Sequence, residues 1–400
     1  MLTATANTYR NAYSGLSKQT WLLSLIMLIN RSGTMVVPFM SLYLTSPKMG
    51  YSVGDAGIVF GLFGAGAFCG AWLGGRLTDK IGFYPVQLFT LTVGGILFML
   101  LGQMKTYPLI CTFTFLLSFV NEAFRPANST AIAFFSKDEN RTRSYALNRL
   151  AINLGWAVGS ALGGFLAHIN YELLFWVDGF TNIGAALLMW LVLKPVSYKT
   201  PAKKITVDAP LIQSAYKDKT FLSFAFVTML FACCFFQLFN NLPLYFEKGL
   251  HFSTPVIGLL MAANGIIIAL VEMVLIYKLE GKRKNMLYIT IGVFMVGLSF
   301  LLLNIPGAAV TVAISMIVLV TFGEILSMPF MNSYWIARTQ PSNRGQYAAL
   351  YTMAWSAAQT LGPMGGAQLA EHAGFNVLWW TVGALSIVAS FAFWRLHRNN

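Results

Sequence analysis

The chain has 400 residues, of which 56% are hydrophobic and 10% are charged. A soluble protein carries about a quarter charged residues, so this composition excludes an ordinary soluble enzyme and indicates a membrane protein. The formal net charge of +13 is compatible with nucleic-acid binding. However, the basic residues fall in short segments between apolar stretches rather than on one face of a domain, which argues against a nucleic-acid partner.

Twelve apolar stretches are long enough to cross about 30 Å of hydrocarbon. The predicted fold class is an all-α membrane protein with twelve transmembrane helices, over residues 20–45, 54–77, 84–104, 108–136, 144–168, 172–194, 221–248, 255–279, 284–304, 308–337, 346–371 and 375–396. A polar segment divides six spans from six. We therefore expect an N-terminal half over 1–194, a cytoplasmic linker over 195–220 and a C-terminal half over 221–400.

The distribution of Lys and Arg predicts the orientation of the chain. Most of the 27 basic residues lie in segments on the same side as both termini, whereas the loops on the other side carry Lys48, Lys105 and Lys248. Because basic loops stay in the cytoplasm, both termini are expected there. Two six-span halves with cytoplasmic ends are parallel repeats, related by a pseudo-twofold axis along the membrane normal.

The loop between the second and third spans carries the first recognisable motif. Its sequence is Gly75-Arg76-Leu77-Thr78-Asp79-Lys80-Ile81-Gly82. It resembles the signature G-x-L-x-D-R/K-x-G loop of the major facilitator superfamily. The resemblance implies a substrate site at midplane between two halves that rock, with Gly75, Asp79 and Gly82 acting as a conformational latch. Phe83-Tyr84 stand where that pattern usually has two basic residues.

Two glycine-rich runs occupy matching places in the fifth and eleventh spans. The first resembles the fifth-span motif of the twelve-helix drug:proton antiporters within that superfamily, with Ser160 where the motif has proline. The two interpretations left open are helix packing and helix bending during transport. The residues concerned are Gly155, Gly159, Gly163 and Gly164, and then Gly362, Pro363, Gly365 and Gly366.

Glutamates near the middle of the fourth and tenth spans are the main candidates for proton coupling. A carboxylate at this depth costs about 2.5–3.5 kcal/mol on insertion scales and usually marks an ion or substrate pathway. Glu122 is one turn from Arg125, so the two can form a local ion pair. This pair either holds the helix in place or, as the superfamily resemblance implies for Arg125, helps to couple proton and substrate.

Glu324 has uncharged residues three and four positions away on either side. It must therefore pair across helices or be protonated, since desolvation favours the neutral carboxyl form. A carboxyl that is protonated on one side and ionised on the other is what a proton carrier needs. The competing interpretation is a static interhelical salt bridge, for which Arg31 in the first span is the most obvious partner.

Aromatic and amide side chains in the cavity-lining spans are candidate substrate contacts. Such a mixture suits amphipathic or aromatic compounds, although the same aromatics could simply pack or face lipid. The candidates are Gln237, Phe239, Asn240, Asn241, Asn332, Tyr334 and Trp335.

Together these features predict a secondary transporter of the bacterial inner membrane, working by alternating access. The expected activity is proton-coupled export of hydrophobic or cationic small molecules, as in multidrug efflux. The alternatives are a proton-coupled importer of a nutrient such as a peptide, sugar or siderophore-like solute, and a receptor built on a transporter fold. The expected partners are a small-molecule substrate, protons and membrane lipid, with the chain a monomer. No metal-ligand spacing, nucleophile motif or phosphate loop points to an enzyme or a cofactor.

Overall fold

In the computed structural model, the described residues are 15–137, 141–195, 214–279, 281–338 and 344–398. A few side chains inside these ranges, including that of Asp79, lie outside the description, as do residues 196–213 of the expected linker. The described part is helical: α1 Lys18–Ser32, α2 Val36–Leu44, α3 Val53–Ile81, α4 Phe83–Gln103, α5 Tyr107–Glu122, α6 Phe124–Phe135, α7 Arg141–Ile169, α8 Glu172–Val192, α9 Lys219–Phe235, α10 Asn241–Lys248, α11 Thr254–Leu279, α12 Asn285–Leu302, α13 Ala309–Ala337, α14 Arg344–Ala373 and α15 Phe375–Arg398.

Eleven segments of the described chain are long and apolar enough to cross a membrane, so the protein is a multi-pass integral membrane protein. They correspond to eleven of the twelve expected spans. The remaining one, expected over 346–371, lies within α14, which has 30 residues but is not among the eleven. The count of twelve and the symmetry of two halves therefore stay predictions.

The chain packs as two compact units. Unit 1 comprises Met1–Val36 and Gly66–Ala202, and unit 2 comprises Val37–Ala65 and Lys203–Asn400. Residues 37–65 thus belong with the C-terminal unit, although they precede the other helices of that unit by more than a hundred residues. The expected division into halves over 1–194 and 221–400, joined by a linker over 195–220, is based on the order of the spans in the sequence. It remains a prediction.

Three of the expected spans are interrupted rather than continuous. The first is broken between Ser32 and Val36, the fourth at Ala123, and the seventh by a 3-10 turn over Phe236–Phe239 followed by Asn240. A break exposes backbone groups that hydrocarbon cannot hydrate, so it is tolerated only where protein or water satisfies them. In transporters such discontinuous helices commonly form the substrate and ion sites.

Asp178 accepts hydrogen bonds from backbone N–H groups that the break in the first span leaves without a helical partner. Its carboxylate accepts hydrogen bonds from the backbone N–H of Met35 at 3.0 Å and from that of Val36 at 2.8 Å. Asp178 is fully buried in α8. It therefore caps the N-terminus of α2 from another helix, where the helix dipole also favours negative charge.

The two glycine-rich runs bring helices together within each unit. In unit 1 a methyl group at Gly155 would lie 2.6 Å from Arg31 Cβ, and one at Gly159 would lie 2.9 Å from Ser32 O. In unit 2 a methyl group at Gly362 would lie 2.7 Å from Cys233 O. These contacts are closer than any side chain allows, so the glycines are needed for α7 to approach α1 and for α14 to approach α9.

Unit 2 also contains the first part of α3, which lies against α14. A methyl group at Gly57 would lie 2.3 Å from Ala367 Cβ, and one at Gly64 would lie 2.7 Å from Thr360 Cα. At the start of α3, the backbone N–H of Gly54 donates a hydrogen bond to the Glu371 carboxylate. An acidic group at a helix N-terminus is favourable, so this contact ties α3 to α14.

Asp218 fixes the start of α9. Its carboxylate accepts a hydrogen bond from the Phe221 backbone N–H at 3.0 Å, pairs with Arg338 Nη2 at 3.0 Å and accepts from the Tyr347 hydroxyl at 3.0 Å. Partial burial alone would raise the pKa of Asp218. The Phe221 N–H and the Arg338 and Tyr347 contacts outweigh it and hold this pKa below its usual value of 3.8.

The glycine contacts predict a position-specific loss of stability. Gly362→Ala should destabilise the protein by about 1–3 kcal/mol, because the added methyl group collides with the backbone of α9. Gly365→Ala is the matched control, since no heavy atom lies within 4 Å of where its added methyl group would stand. The measurement is the thermal unfolding temperature of each purified variant in detergent, which should be lower for Gly362→Ala than for Gly365→Ala. An equal unfolding temperature for both would contradict the close-approach role of Gly362.

The low pKa of Asp218 predicts a specific pH dependence of stability. A carboxylate whose folded pKa is depressed stabilises the protein above the unfolded value, and that stabilisation is lost as pH falls through the folded pKa. Asp218→Asn should therefore lower the unfolding temperature at pH 7 and flatten its decline below about pH 4. Parallel thermal melts of the native chain and the variant between pH 7 and pH 3 measure this. If the unfolding temperatures of the two proteins differed by the same amount at every pH, the low pKa assigned to Asp218 would be contradicted.

Candidate functional site

Unit 1 gathers three of the predicted coupling residues where two spans are broken. Arg31 is the penultimate residue of α1, Glu122 is the last residue of α5, and Arg125 lies in the first turn of α6. Arg125 Nη1 donates to Glu122 Oε2 at 3.1 Å. The Arg31 guanidinium is attracted by Glu122 and repelled by Arg125, so the three charges interact as one cluster.

The three side chains differ in exposure. The Glu122 side chain is 11% exposed and that of Arg125 is 64% exposed. The Arg31 Nε atom is buried and has no hydrogen-bond partner among the described residues. Behind the cluster, Asn30 Nδ2 donates to Asn182 Oδ1 at 2.8 Å, and Asn182 Nδ2 donates to Asp178 O at 2.8 Å. A chain of amides therefore holds this end of α1 against α8.

Unit 2 places Glu324 in a polar cluster between α11 and α13. Asn264 Nδ2 donates to Thr321 Oγ1 at 2.9 Å and reaches Glu324 Oε2 at 3.4 Å. Thr321 in turn donates to Ile317 O. Since the Thr321 hydrogen is already used, this hydroxyl can only accept from Asn264, which fixes the carboxamide with its N–H groups toward Glu324.

The predicted latch residues lie at the end of α3. Gly82 stands between α3 and α4 with φ 90°, a conformation that favours glycine, so the chain turns tightly there. A methyl group at Gly75 would meet Pro126 Cβ at 4.0 Å, which is ordinary contact. Asp79 lies in the last turn of α3, and its side chain is outside the described part of the structure.

Three of the four amides predicted to line a substrate cavity are buried and bonded within unit 2. Gln237 Nε2 donates to Gly362 O at 2.8 Å, and Asn240 Nδ2 donates to Pro363 O at 3.3 Å. Asn240 also accepts from the Ser41 hydroxyl, and Asn241 donates to Gln237. These bonds join the interruption of the seventh span to α14 and α2, so the amides satisfy backbone carbonyls of the glycine-rich run.

The remaining cavity candidates belong to an aromatic cluster around α9, α13 and α14. The ring centroids of Tyr334 and Phe224 are 4.6 Å apart, and those of Trp335 and Tyr351 are 5.8 Å apart. Trp335 Nε1 donates to Asn332 Oδ1 at 3.2 Å. Phe239 packs against Phe235 with ring centroids 5.5 Å apart. Predicted contacts from two spans are thus brought into one aromatic region.

Several side chains at these sites were not singled out from the sequence. Asn264 is a lone amide within an apolar helix, and that isolation is a signal that could have identified it. Tyr351 and Trp355 lie four residues apart on one face of α14, and their rings contact each other. Trp355 also packs against Phe231, Phe235 and Phe236. No local pattern indicates that Asp178 reaches the α2 backbone.

Comparisons with known proteins agree with this architecture. Residues 20–363 match the family model described as Major Facilitator Superfamily. The chain is 24% identical over 365 residues to "Multidrug resistance protein MdtH" of Aeromonas salmonicida, covering 88% of each chain. It is 21% identical over 401 residues to the "Na(+), Li(+), K(+)/H(+) antiporter" of Planococcus maritimus, covering 92% of this chain and 93% of the relative.

Among solved structures, the chain resembles a POT family transporter in complex with 5-aminolevulinic acid. The TM-score is 0.79, with 16% sequence identity and coverage of 95% of this chain and 96% of that one. At this identity the likeness concerns the fold.

Proposed function

The chain belongs to the Major Facilitator Superfamily, and from this we propose that it exports hydrophobic or cationic small molecules in exchange for protons. It is a transporter and not an enzyme. The names of two relatives, a multidrug resistance protein and a cation/proton antiporter, support export and proton exchange respectively. The proposed setting is the bacterial inner membrane with both termini in the cytoplasm, and the proposed active form is a monomer of twelve spans in two parallel halves.

The observation that carries the proposal is the position of Glu324. It lies near the middle of the 29-residue apolar helix α13, where a carboxylate is costly and usually marks an ion or substrate pathway. The Asn264 carboxamide reaches Glu324 Oε2 at 3.4 Å, and such a donor can bond to a carboxyl group in either protonation state. A carboxyl group held in this way suits a proton carrier, which must bind and release a proton in each cycle.

The cluster of Arg31, Glu122 and Arg125 is the proposed second element of coupling. Its members lie beside the breaks in the first and fourth spans, where the backbone can change direction. Arg125 already engages Glu122 at 3.1 Å, so loss or gain of charge at Glu122 would change how both arginines are held. In the proposed cycle, substrate binding from the cytoplasm releases a proton from Glu324, and a proton rebinds once the site faces outward.

The glycines have proposed roles in the conformational change. Gly75, Asp79 and Gly82 would form the latch of one state, and the turn at Gly82 is the feature that supports this. The tight contacts of Gly155, Gly159, Gly362 and Gly366 are compatible with bending of closely packed helices, because these residues add no side chain of their own to the interface. Gln237, Asn240 and Asn241 would anchor α14 to the seventh span, while Phe239, Asn332, Tyr334 and Trp335 are proposed to contact substrate.

Transport by Glu324→Gln in proteoliposomes tests the proposal. With a pH gradient imposed, the native protein should move tetraphenylphosphonium or ethidium against the proton gradient. The variant should lose gradient-driven movement, because an amide cannot carry a proton, while it still folds and binds the dye. Glu272→Gln is the matched control, since it removes another buried carboxylate from a neighbouring span, and it should retain coupled transport.

Gradient-driven transport retained by Glu324→Gln would reject the assignment of the proton site. Movement of substrate and protons in the same direction would instead establish the importer alternative. Binding of ligand without any substrate-dependent flux would favour a receptor.

A further inference from the structure

Two basic segments of unit 2 belong to helices that are about a hundred residues apart in the sequence. One is the Lys-Arg-Lys run at residues 282–284, which immediately precedes α12. The other is the last turn of α15, which carries Arg395 and Arg398. All five basic residues are exposed, and none of them forms an ion pair with a described carboxylate. Glu280, the nearest acidic residue along the sequence, lies outside the described residues. Both segments therefore attract anions.

The packing of α12 against α15 determines how the two segments are placed. Ser390 Oγ on α15 donates a hydrogen bond to Thr290 O on α12 at 2.8 Å. Farther along the pair, the rings of Phe300 and Trp379 stack with their centroids 5.7 Å apart. The residue numbers rise along one helix as they fall along the other, so the two helices are antiparallel. The start of α12 and the end of α15 therefore lie at the same end of unit 2.

The basic residues also lie at similar depth along this helix pair. Counted from the hydrogen bond between the two helices, Lys284 is six residues back along α12 and Arg395 is five residues on along α15. At 1.5 Å per residue these positions are roughly 9 Å and 7.5 Å from that bond. The Tyr288 hydroxyl on α12 donates to Leu279 O at the end of α11 at 3.0 Å. This bond holds the α11–α12 connection, and the basic run within it, against α12.

Exposed apolar side chains continue from the basic segments along both helices. They are Ile291 and Phe294 on α12 and Val388 and Phe391 on α15. Both helices are long and apolar enough to cross a membrane, so these side chains face its hydrocarbon. A cationic surface thus continues directly into an apolar one.

A tryptophan marks the boundary between the two surfaces. Trp394 is exposed in the last turn of α15, and the Arg398 guanidinium carbon lies 5.1 Å from the centroid of its ring. Tryptophan is enriched at the level of the lipid head groups, which places the Arg398 charge at that level as well. A soluble anion would contact the basic segments alone. A phospholipid would contact the basic segments with its phosphate and the apolar side chains with its acyl chains.

We propose that residues 282–284, Arg395 and Arg398 bind the head group of one anionic phospholipid, whose acyl chains lie along the exposed apolar side chains of α12 and α15. Guanidinium and ammonium groups hold phosphate oxygens through charge-assisted hydrogen bonds. Because the cations are divided between two segments, a head group with two phosphates, as in diphosphatidylglycerol, is preferred over one with a single phosphate. The site does not depend on which solute is transported or in which direction.

Native mass spectrometry of the full chain in detergent, titrated with lipid, tests the site. The lipids are diphosphatidylglycerol, phosphatidylglycerol and phosphatidylcholine, all with oleoyl chains. The native protein should bind one diphosphatidylglycerol about thirtyfold more tightly than phosphatidylcholine, with phosphatidylglycerol between them. Equal affinity for the three lipids would overturn the inference, and this comparison does not depend on any variant being able to fold.

Double variants test whether the two segments form one site. Lys282→Gln/Lys284→Gln and Arg395→Gln/Arg398→Gln each remove two charges from one segment. Either pair should weaken diphosphatidylglycerol binding about thirtyfold, since each cation near a lipid surface contributes about a factor of five. Phosphatidylcholine binding should not change. Arg395→Lys/Arg398→Lys keeps the charge and should retain most of the affinity. Weaker binding in only one of the two glutamine pairs would reject a shared site.

Arg76→Gln/Lys80→Gln is the matched control. It removes two exposed basic residues from the end of α3 in unit 1, where Arg76 stacks on Trp72 at 3.8 Å much as Arg398 does on its tryptophan. Diphosphatidylglycerol binding should persist in this variant, and an equal loss there would show a general effect of charge. Competition with inorganic pyrophosphate separates a lipid from a soluble anion. Displacement of the lipid by an equal concentration of pyrophosphate would overturn the assignment to a phospholipid.

Discussion

Hydrocarbon offers no hydrogen bonds, so the backbone groups freed at each interruption of a membrane helix must find partners in protein or water. At the break between α1 and α2, the Asp178 carboxylate accepts from two backbone N–H groups. At the break after α9, Asn240 and Gln237 instead supply N–H groups to carbonyls of α14. These contacts accompany irregular backbone at depth, and Arg31, Glu122 and Arg125 all lie beside such breaks.

Close helix approach and buried charge are linked in this molecule. The glycines of α7 let α1 lie against it at Arg31, and this contact limits where the guanidinium can go. In unit 2 the glycines of α14 hold the interruption after α9 in the same manner. Arg31 is therefore held by backbone packing as much as by its electrostatic partners. Its position would be difficult to reproduce if either glycine carried a side chain.

The sequence predicts the helical membrane fold because apolar length is a local property. The superfamily resemblance of residues 75–82 is confirmed by the match over residues 20–363. The breaks at residues 33–35 and 123 are not predictable in this way, since Ser32-Gly33-Thr34 and Ala123 read as parts of continuous apolar stretches. Likewise, the contacts of Asn264 with Thr321 and Glu324 join residues about sixty positions apart, and no spacing rule encodes them. The drug:proton antiporter branch and the site roles stay predictions.

The two midspan glutamates differ in the continuity of the helices that carry them. Glu122 ends α5 at a joint, and Pro126 follows it in a separate short helix. Glu324 lies within α13, which runs unbroken through Pro329 for 29 residues, roughly 43 Å. A continuous helix transmits a displacement along its length, whereas a chain that bent at Ala123 would take the displacement up locally. A displacement at Glu324 would therefore reach both ends of α13, while one at Glu122 would be absorbed beside Arg125.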